Sequence, residues 1–505
     1  MAESVGVKTY FAEAPAGKTF RANFYLLPTL TYHRATPPAK RAAVSLHAPR
    51  IRGNITMSAG FMPRWVGRAV SLWLLLLLIP LVPAQQRAVP PKVARALAET
   101  RTILRDVSRL RELPIKRPVQ SGYRSRKEVE RVVIQDLDAS QTPEEFANQA
   151  KMLVALGLIP KDYALRDELI RVLTEQIAGF YRPKTGEFVL TESLDDDDPD
   201  SQRVAIAHEL THALQDQHFD LRRFEKPTQG NSDRDLAIHS LIEGDATVTM
   251  IAYALDGRMD IQKLPVSIGT LLENFGVIDN DPRKSPALTA APKAIRLSLL
   301  FPYASGADFV QALLRKGGWT QVSQAFTDLP ESTEQVLHPE KYLARERPVA
   351  IARPDLAALL GPGWQRLTDD VQGEFGYRLI LGEFLDEKQA RRAAQGWGGD
   401  RSTLYEHRPT GQLCLVQVTR WDNPASSQAF FEAYGARTAR RFPERRFDHA
   451  PAERSASDVV TGEGVHIERR GVDVFILEGL PPTADLPAVL KHLAGTLPGA
   501  PGKPL

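Results

Sequence analysis

The segment Val204–Leu221 reads V-A-I-A-H-E-L-T-H-A-L-Q-D-Q-H-F-D-L, and the pentad His208-Glu209-Leu210-Thr211-His212 within it constrains this chain more than any other feature. No Pro or Gly interrupts residues 201–220, so the stretch is expected to be helical. A helix advances 100° per residue, which puts His208 and His212 one turn apart on one face. At that spacing two neutral imidazoles can chelate one zinc ion without bending the backbone. Glu209, beside the first histidine, is placed to take a proton from a water there as general base. Ile206, Leu210, Ala213 and Leu214 fall on the opposite side and supply a core stripe. The competing reading makes the two histidines hydrogen-bonded core residues.

A catalytic zinc site needs a third protein ligand from beyond this helix, with the fourth position left open to water. Residues 233–256 (D-R-D-L-A-I-H-S-L-I-E-G-D-A-T-V-T-M-I-A-Y-A-L-D) form a second expected helix, with Asn231, Ser232 and Asp233 available as caps. Glu243 is the preferred ligand, because it lies in the apolar run Leu241-Ile242-Glu243, where an unpaired carboxylate is costly to bury. His239, one turn earlier on the same face, is the alternative ligand or a partner of one. Gly244 is expected to let this helix approach the first one closely.

H-E-L-T-H followed about thirty residues later by a helical E-G-D-A resembles the gluzincin division of the zincin metallopeptidases. More narrowly, it resembles a group of secreted bacterial proteins carrying H-E-L-T-H-A-L-Q-D-Q-H-F-D-L and L-I-E-G-D-A. The resemblance implies zinc on His208, His212 and Glu243, with Glu209 as base. It extends to the hairpin-like run 179–190, where in zincins a strand forms the sheet edge on which an extended peptide docks. It also covers the run 330–343, P-E-S-T-E-Q-V-L-H-P-E-K-Y-L. One position departs from it. Many gluzincins place an Asp four residues after the ligand Glu to hold a ligand histidine, and here that position is Thr247. Asp245 lies about 200° around the helix from Glu243 and is not expected to substitute for it.

The 505 residues, 43% of them hydrophobic, suffice for two or three packed domains. Residues 1–84 hold ten Lys/Arg against two Asp/Glu, so the net charge of +3 becomes −5 for the remainder. A mildly acidic body argues against a nucleic-acid partner. The single cysteine, Cys414, excludes an internal disulfide and any cysteine-rich metal site, and reads as a buried strand thiol.

Residues 62–84 read as a secretory signal, with Arg64 and Arg68 before the apolar stretch 69–82 and small residues ahead of Gln85. That stretch is shorter than the roughly 20 residues needed to span a bilayer, so cleavage and a secreted or periplasmic product, with no stable membrane span, are expected. Residues 1–61 read as an upstream segment without a fold. Met57 and Met62 are both plausible starts, and the competing reading is a cytoplasmic tail on an uncleaved anchor.

Beyond a linker at 85–91, helices are expected over 93–112, 126–137, 142–158 and 163–178. The run Asp195–Asp198 reads as a solvated loop favouring a helix N-terminus, with calcium binding as the other reading. Residues 264–312 look largely helical, with a turn at 279–282, and 309–314 and 320–326 continue that pattern. His338 is either a donor facing the site or a capping residue. From 369 onward the pattern becomes α-β-β-α-β-β-α: helices at 374–384, 388–397, 425–442 and 486–497, strands at 403–406, 413–420, 465–468 and 472–478, and turns at 398–400, Gly411 and 470–471. Trp397 and Trp421 read as packing residues. The expected architecture is α+β, a mainly helical zincin-like metallopeptidase domain over 85–360 followed by a small α+β accessory domain over 361–505.

Two functional readings remain at this level. One is an exported Zn2+-dependent peptidase acting on a peptide or protein substrate. The other is a noncatalytic envelope protein retaining a zincin fold for binding or structure. The intact Glu209 favours the first, since loss of the base is the simplest way to retire such an enzyme.

Overall fold

The computed structural model describes residues 89–192, 199–224, 228–256, 258–274, 285–450 and 457–499. The expected signal at 62–84, the segment before it, the aspartate run 195–198 and the turn at 279–282 lie outside those residues. Within them the fold is mixed α/β, mainly helical up to Leu360 and organised around a large sheet after it.

The first half opens with α1 (Pro91–Arg111), β1 (Gln120–Arg124), α2 (Arg126–Ser140), α3 (Pro143–Leu156) and α4 (Leu165–Gln176). Local chemistry sets these boundaries. Ser125 and Glu128 form a capping box on α2, and Thr142 and Glu145 form another on α3, whose first residue is Pro143. Gly157 ends α3 with φ of 79°, a conformation that favours glycine. Strands β2 (Gly179–Arg182) and β3 (Glu187–Thr191) form the hairpin expected at 179–190. β1, which the sequence reading missed, pairs parallel with β3, so the order is β1-β3-β2 and β2 lies at the edge.

Next come α5 (Pro199–Phe219), α6 (Ser232–Ala254), α7 (Ile268–Asn274), α8 (Pro286–Ala290) and α9 (Lys293–Ala325). Ile206, Leu210, Ala213 and Leu214 are all buried as expected, but so is most of the rest of α5. α6 is also buried nearly all round, and Asn231 caps it by accepting from the Arg234 N–H. Among the described residues α9 is long and apolar enough to cross a membrane, yet Leu299, Phe309, Val310 and Leu313 are buried in the main core. Its ladder breaks at Gly317 and Gly318.

The chain continues through α10 (Thr333–Leu337), α11 (Pro339–Leu343) and α12 (Ala357–Leu360) into β4 (Trp364–Asp370), α13 (Gly373–Gly382), α14 (Glu387–Ala394), β5 (Trp397–His407), β6 (Gln412–Trp421) and α15 (Pro424–Arg441). It ends with β7 (Phe447–Ala450), β8 (Ser457–Gly462), β9 (Val465–Arg470), β10 (Asp473–Glu478) and α16 (Leu486–Ala494). The strands make one antiparallel seven-stranded sheet, ordered β4-β5-β6-β10-β9-β8-β7. Four of these strands were expected, and β4, β7 and β8 are additional. The expected turn at 398–400 is instead the start of β5. Gly399 belongs there because a Cβ would stand 2.3 Å from the Val349 carbonyl oxygen, while the Val349 N–H donates to Gly398 at 2.7 Å. Glycine lets a neighbouring chain close on the sheet at this point instead of turning it.

One sheet face joins the main core, where Trp421 stacks on Phe430 with ring centroids 4.3 Å apart. Ile351, Leu356, Cys414, Phe475 and Leu493 pack on the other face. Trp397 and Trp421 are thus packing residues, and Cys414 is a buried strand thiol. Arg437 and Arg441 of α15 donate to the carbonyls of Leu156, Ala155 and Val154 at the end of α3. These contacts satisfy helix C-terminal groups that have no partner within the helix.

Candidate metal centre

α5 and α6 pack together and bring three side chains to one point. His208 Nε2 lies 3.0 Å from Glu243 Oε2, His212 Nε2 lies 3.5 Å from the same oxygen, and the two Nε2 atoms are 3.2 Å apart. A tetrahedral ion with bonds of about 2.0–2.2 Å separates its ligand atoms by about 3.3–3.6 Å, so the three atoms stand close enough together to share one small cation after a slight spreading. Burial supplies a second test of fit. Glu243 and His212 are fully buried and His208 nearly so, with His208 Nε2 and the Tyr303 hydroxyl facing the Glu243 carboxyl. Burial pushes the Glu243 carboxyl up to about 7 and the His212 imidazole down to about 4, and lowers His208 as well. Two neutral imidazoles beside a buried carboxyl form a donor set that a cation would stabilise.

Glu209 is also buried, and its Oε2 accepts the Tyr181 backbone N–H at 3.0 Å. The outward N–H of edge strand β2 is therefore directed at the glutamate, and β2 is buried along its length. The edge anticipated for a docked peptide is covered by α5 at Tyr181. His239 turns its Nδ1 to its own helix, 2.9 Å from the Asp235 carbonyl oxygen, and Glu243 is the residue that joins the two histidines.

Gly244 does permit a close helix contact, but with α9 and not with α5. A Cβ on Gly244 would stand 2.2 Å from the Gly306 carbonyl group, and one on Gly306 would stand 2.2 Å from the Ser240 oxygen. The two glycines let the α6 and α9 backbones touch. One turn before Gly306, Tyr303 reaches the site and stacks on His208, with centroids 5.9 Å apart and planes 29° apart. Burial first, then the charges of Glu243 and Glu209, hold its phenol well above the usual tyrosine range, so it stays a proton donor. The sequence reading passed over Tyr303, since only the crossing of α6 and α9 connects it to Glu243.

The polar run after the second histidine is equally committed. Gln215 Oε1 faces His212 Nδ1 at 2.8 Å. Asp216 Oδ2 accepts from the Tyr181 hydroxyl at 2.8 Å and from Arg117 at 2.5 Å. Gln217 Oε1 accepts the Lys116 N–H at 2.7 Å, and its Nε2 donates to the Arg117 carbonyl. Three consecutive polar residues on a buried helix were the available signal, because each must find a partner inside. Asp245, not expected to take part, reaches the site indirectly: Gln215 Nε2 donates to its Oδ2 at 2.9 Å. Pointing away from Glu243 is what brings it to Gln215.

His338 pairs with Glu374 on α13, 2.9 Å away, in the capping position between α10 and α11. In the same run Thr333 donates its N–H and hydroxyl to the buried Asp233 at the start of α6. Glu334, Glu346 and Asp422 also converge, but the Lys341 ammonium sits among them at 2.8, 2.6 and 2.6 Å and fills the place of a cation.

No curated protein and no solved structure matches the chain. Residues 362–490, which include all seven strands of the larger sheet, match a family described as a domain of unknown function, DUF8575.

Proposed function

We propose that this chain is an exported zinc peptidase with a zincin-like catalytic part, in which His208, His212 and Glu243 hold the metal and Glu209 is the general base. The observation that carries this reading is the convergence of two imidazole nitrogens and one carboxylate oxygen at 3.0–3.5 Å, on two packed helices, with a glutamate next to the first histidine. Bound zinc would supply Lewis acidity, lowering the pKa of water and polarising a carbonyl. Glu209 takes the proton that water loses on attack and passes it to the departing amine. The Tyr181 N–H fixes the orientation of its carboxylate. The Tyr303 phenol, kept protonated, is a donor for the oxygen on which charge develops. Export follows from the signal-like run 62–84, and the substrate class is a peptide or protein.

One observation favours the noncatalytic reading. His208, Glu209, His212, Glu243 and Tyr303 are each no more than 5% exposed, so a substrate reaches them only after a conformational opening. Glu209→Gln separates the two readings. The amide is nearly isosteric but cannot take a proton at neutral pH, so zinc content and fold should be retained while hydrolysis of an unstructured protein such as casein falls by about 10⁴-fold. Equal activity in both proteins refutes Glu209 as base. Absence of hydrolysis in the unaltered, zinc-loaded protein across unfolded, folded and cell-wall peptide substrates leaves the noncatalytic reading standing.

A further inference from the structure

We propose that Arg111, Asp245 and Gln215 form a positioning chain that holds His212 in the tautomer whose Nε2 is free to bind a metal, making α1 part of the metal centre. The inference rests on the metal reading above and adds residues that lie outside the ligand set.

Gln215 is three residues after His212, a spacing that puts both side chains on one helix face. Two acceptors settle which way its amide points. Its Nε2 lies 3.0 Å from the Ile242 carbonyl oxygen and 2.9 Å from Asp245 Oδ2, and only the nitrogen can donate to both. Oε1 therefore faces His212 Nδ1, at 2.8 Å, and as an acceptor it requires the proton there. A neutral imidazole protonated at Nδ1 keeps its lone pair on Nε2, the atom turned toward His208 and Glu243.

Asp245 is held in turn by Arg111, whose Nε lies 2.5 Å from Oδ1, and neither side chain of this pair is exposed. Arg111 is itself fixed, with its guanidinium carbon 4.6 Å from the centre of the Trp319 ring and Nη1 donating to Ser323 at 3.2 Å. Arg111 is the last residue of α1, so the chain runs from one helix end to the ligand histidine. Ligand histidines commonly donate their outer nitrogen to a carboxylate, which fixes ring orientation and tautomer. Here an amide takes that place, with the negative charge one link further out. Thr247, where the resemblance implies the carboxylate, is buried, and its hydroxyl makes no hydrogen bond.

The test measures zinc affinity of the full chain by competition with a chromophoric chelator, on proteins shown by circular dichroism to be folded at the assay temperature. Gln215→Leu should weaken zinc binding by roughly 10–100-fold, the usual effect of removing an outer partner of a metal ligand. Asp245→Asn, which keeps the volume and removes the charge, should also weaken it, and it serves if the leucine variant does not fold. Thr247→Val, equally buried but outside the chain, should bind within about twofold of the unaltered protein. Nitrogen-15 spectra of metal-free, histidine-labelled protein supply a second readout. A neutral Nδ1–H tautomer for His212 should be present in the unaltered protein and lost in Gln215→Leu. Zinc affinity unchanged in Gln215→Leu and Asp245→Asn overturns the positioning chain and leaves the metal reading intact. Failure of the unaltered protein to bind zinc overturns both.

Discussion

The contact between α6 and α9 can be tested by adding one methyl group. In Gly306→Ala the new Cβ would stand 2.2 Å from the Ser240 carbonyl oxygen and 3.0 Å from its carbon. Ordinary contact begins near 3.4 Å, so the helices must part by about 1.2 Å. Overfilling a packed core costs roughly 1–3 kcal/mol when side chains can move aside. Here the obstacle is main chain, which places the cost at or above the top of that range. Alanine returns about 1 kcal/mol through its better helix propensity, leaving a net loss of about 2 kcal/mol or more. Such a loss corresponds to a shift of roughly thirtyfold in the unfolding equilibrium. Tyr303 should move with the helix, so zinc affinity should fall together with stability. The assay is urea unfolding followed by circular dichroism, with Gly382→Ala as comparator. A Cβ at Gly382 meets nothing nearer than 3.6 Å, and that variant should be neutral or slightly stabilised. A Gly306→Ala protein with an unfolding midpoint at or above that of the unaltered chain would refute the argument that these backbones touch.

Three further outcomes follow from the same geometry. Glu243→Ala should remove most of the bound zinc, whereas His239→Ala, whose Nδ1 is turned to its own helix, should retain it; metal analysis of the two proteins decides between them. The hydrogen bond and charge of Glu374 raise the His338 pKa, so this pair's stabilisation is fully present below the unfolded histidine value of about 6.5. That stabilisation is lost as pH rises through the higher folded value, so unfolding midpoints measured upward from pH 6 should fall less steeply in His338→Gln. Cys414 is buried and its thiol is pushed up to about 12, so a disulfide reagent should leave the native protein unlabelled and label one thiol per chain after denaturation.

The sequence by itself determined what depends on short-range periodicity and on the cost of burying charge. The 100° advance of a helix placed His208 and His212 together, and the apolar setting of Glu243 marked it as the residue to join them. Capping residues and the 3.6-residue pattern located most helices within a few residues. The same reasoning located β2 and β3, because a Gly-Phe-Tyr-Arg-Pro-Lys-Thr-Gly hairpin is a local signal. Strands β1 and β4 were missed because their partners are distant in the chain: β1 pairs with β3 across more than sixty residues, and β4 pairs with β5 across the two helices between them. β7 and β8, which pair locally with each other and with β9, were missed as well. Gly399 gave a misleading turn signal because a glycine that bends a chain and one that admits a neighbouring backbone look alike in sequence.

Only the tertiary structure decided what surrounds these three side chains. Gly244 and Gly306 carry no side chain, so nothing in either segment announces that they meet, yet their contact is what brings Tyr303 onto His208. Asp245 looked misplaced on helical geometry taken alone. Its direction becomes useful because α5 presents Gln215 on that side and α1 ends with Arg111 beside it. Periodicity fixes where a side chain points from its own helix. What it meets there depends on how separate helices pack, and hydrophobic burial drives that packing without regard to distance along the chain.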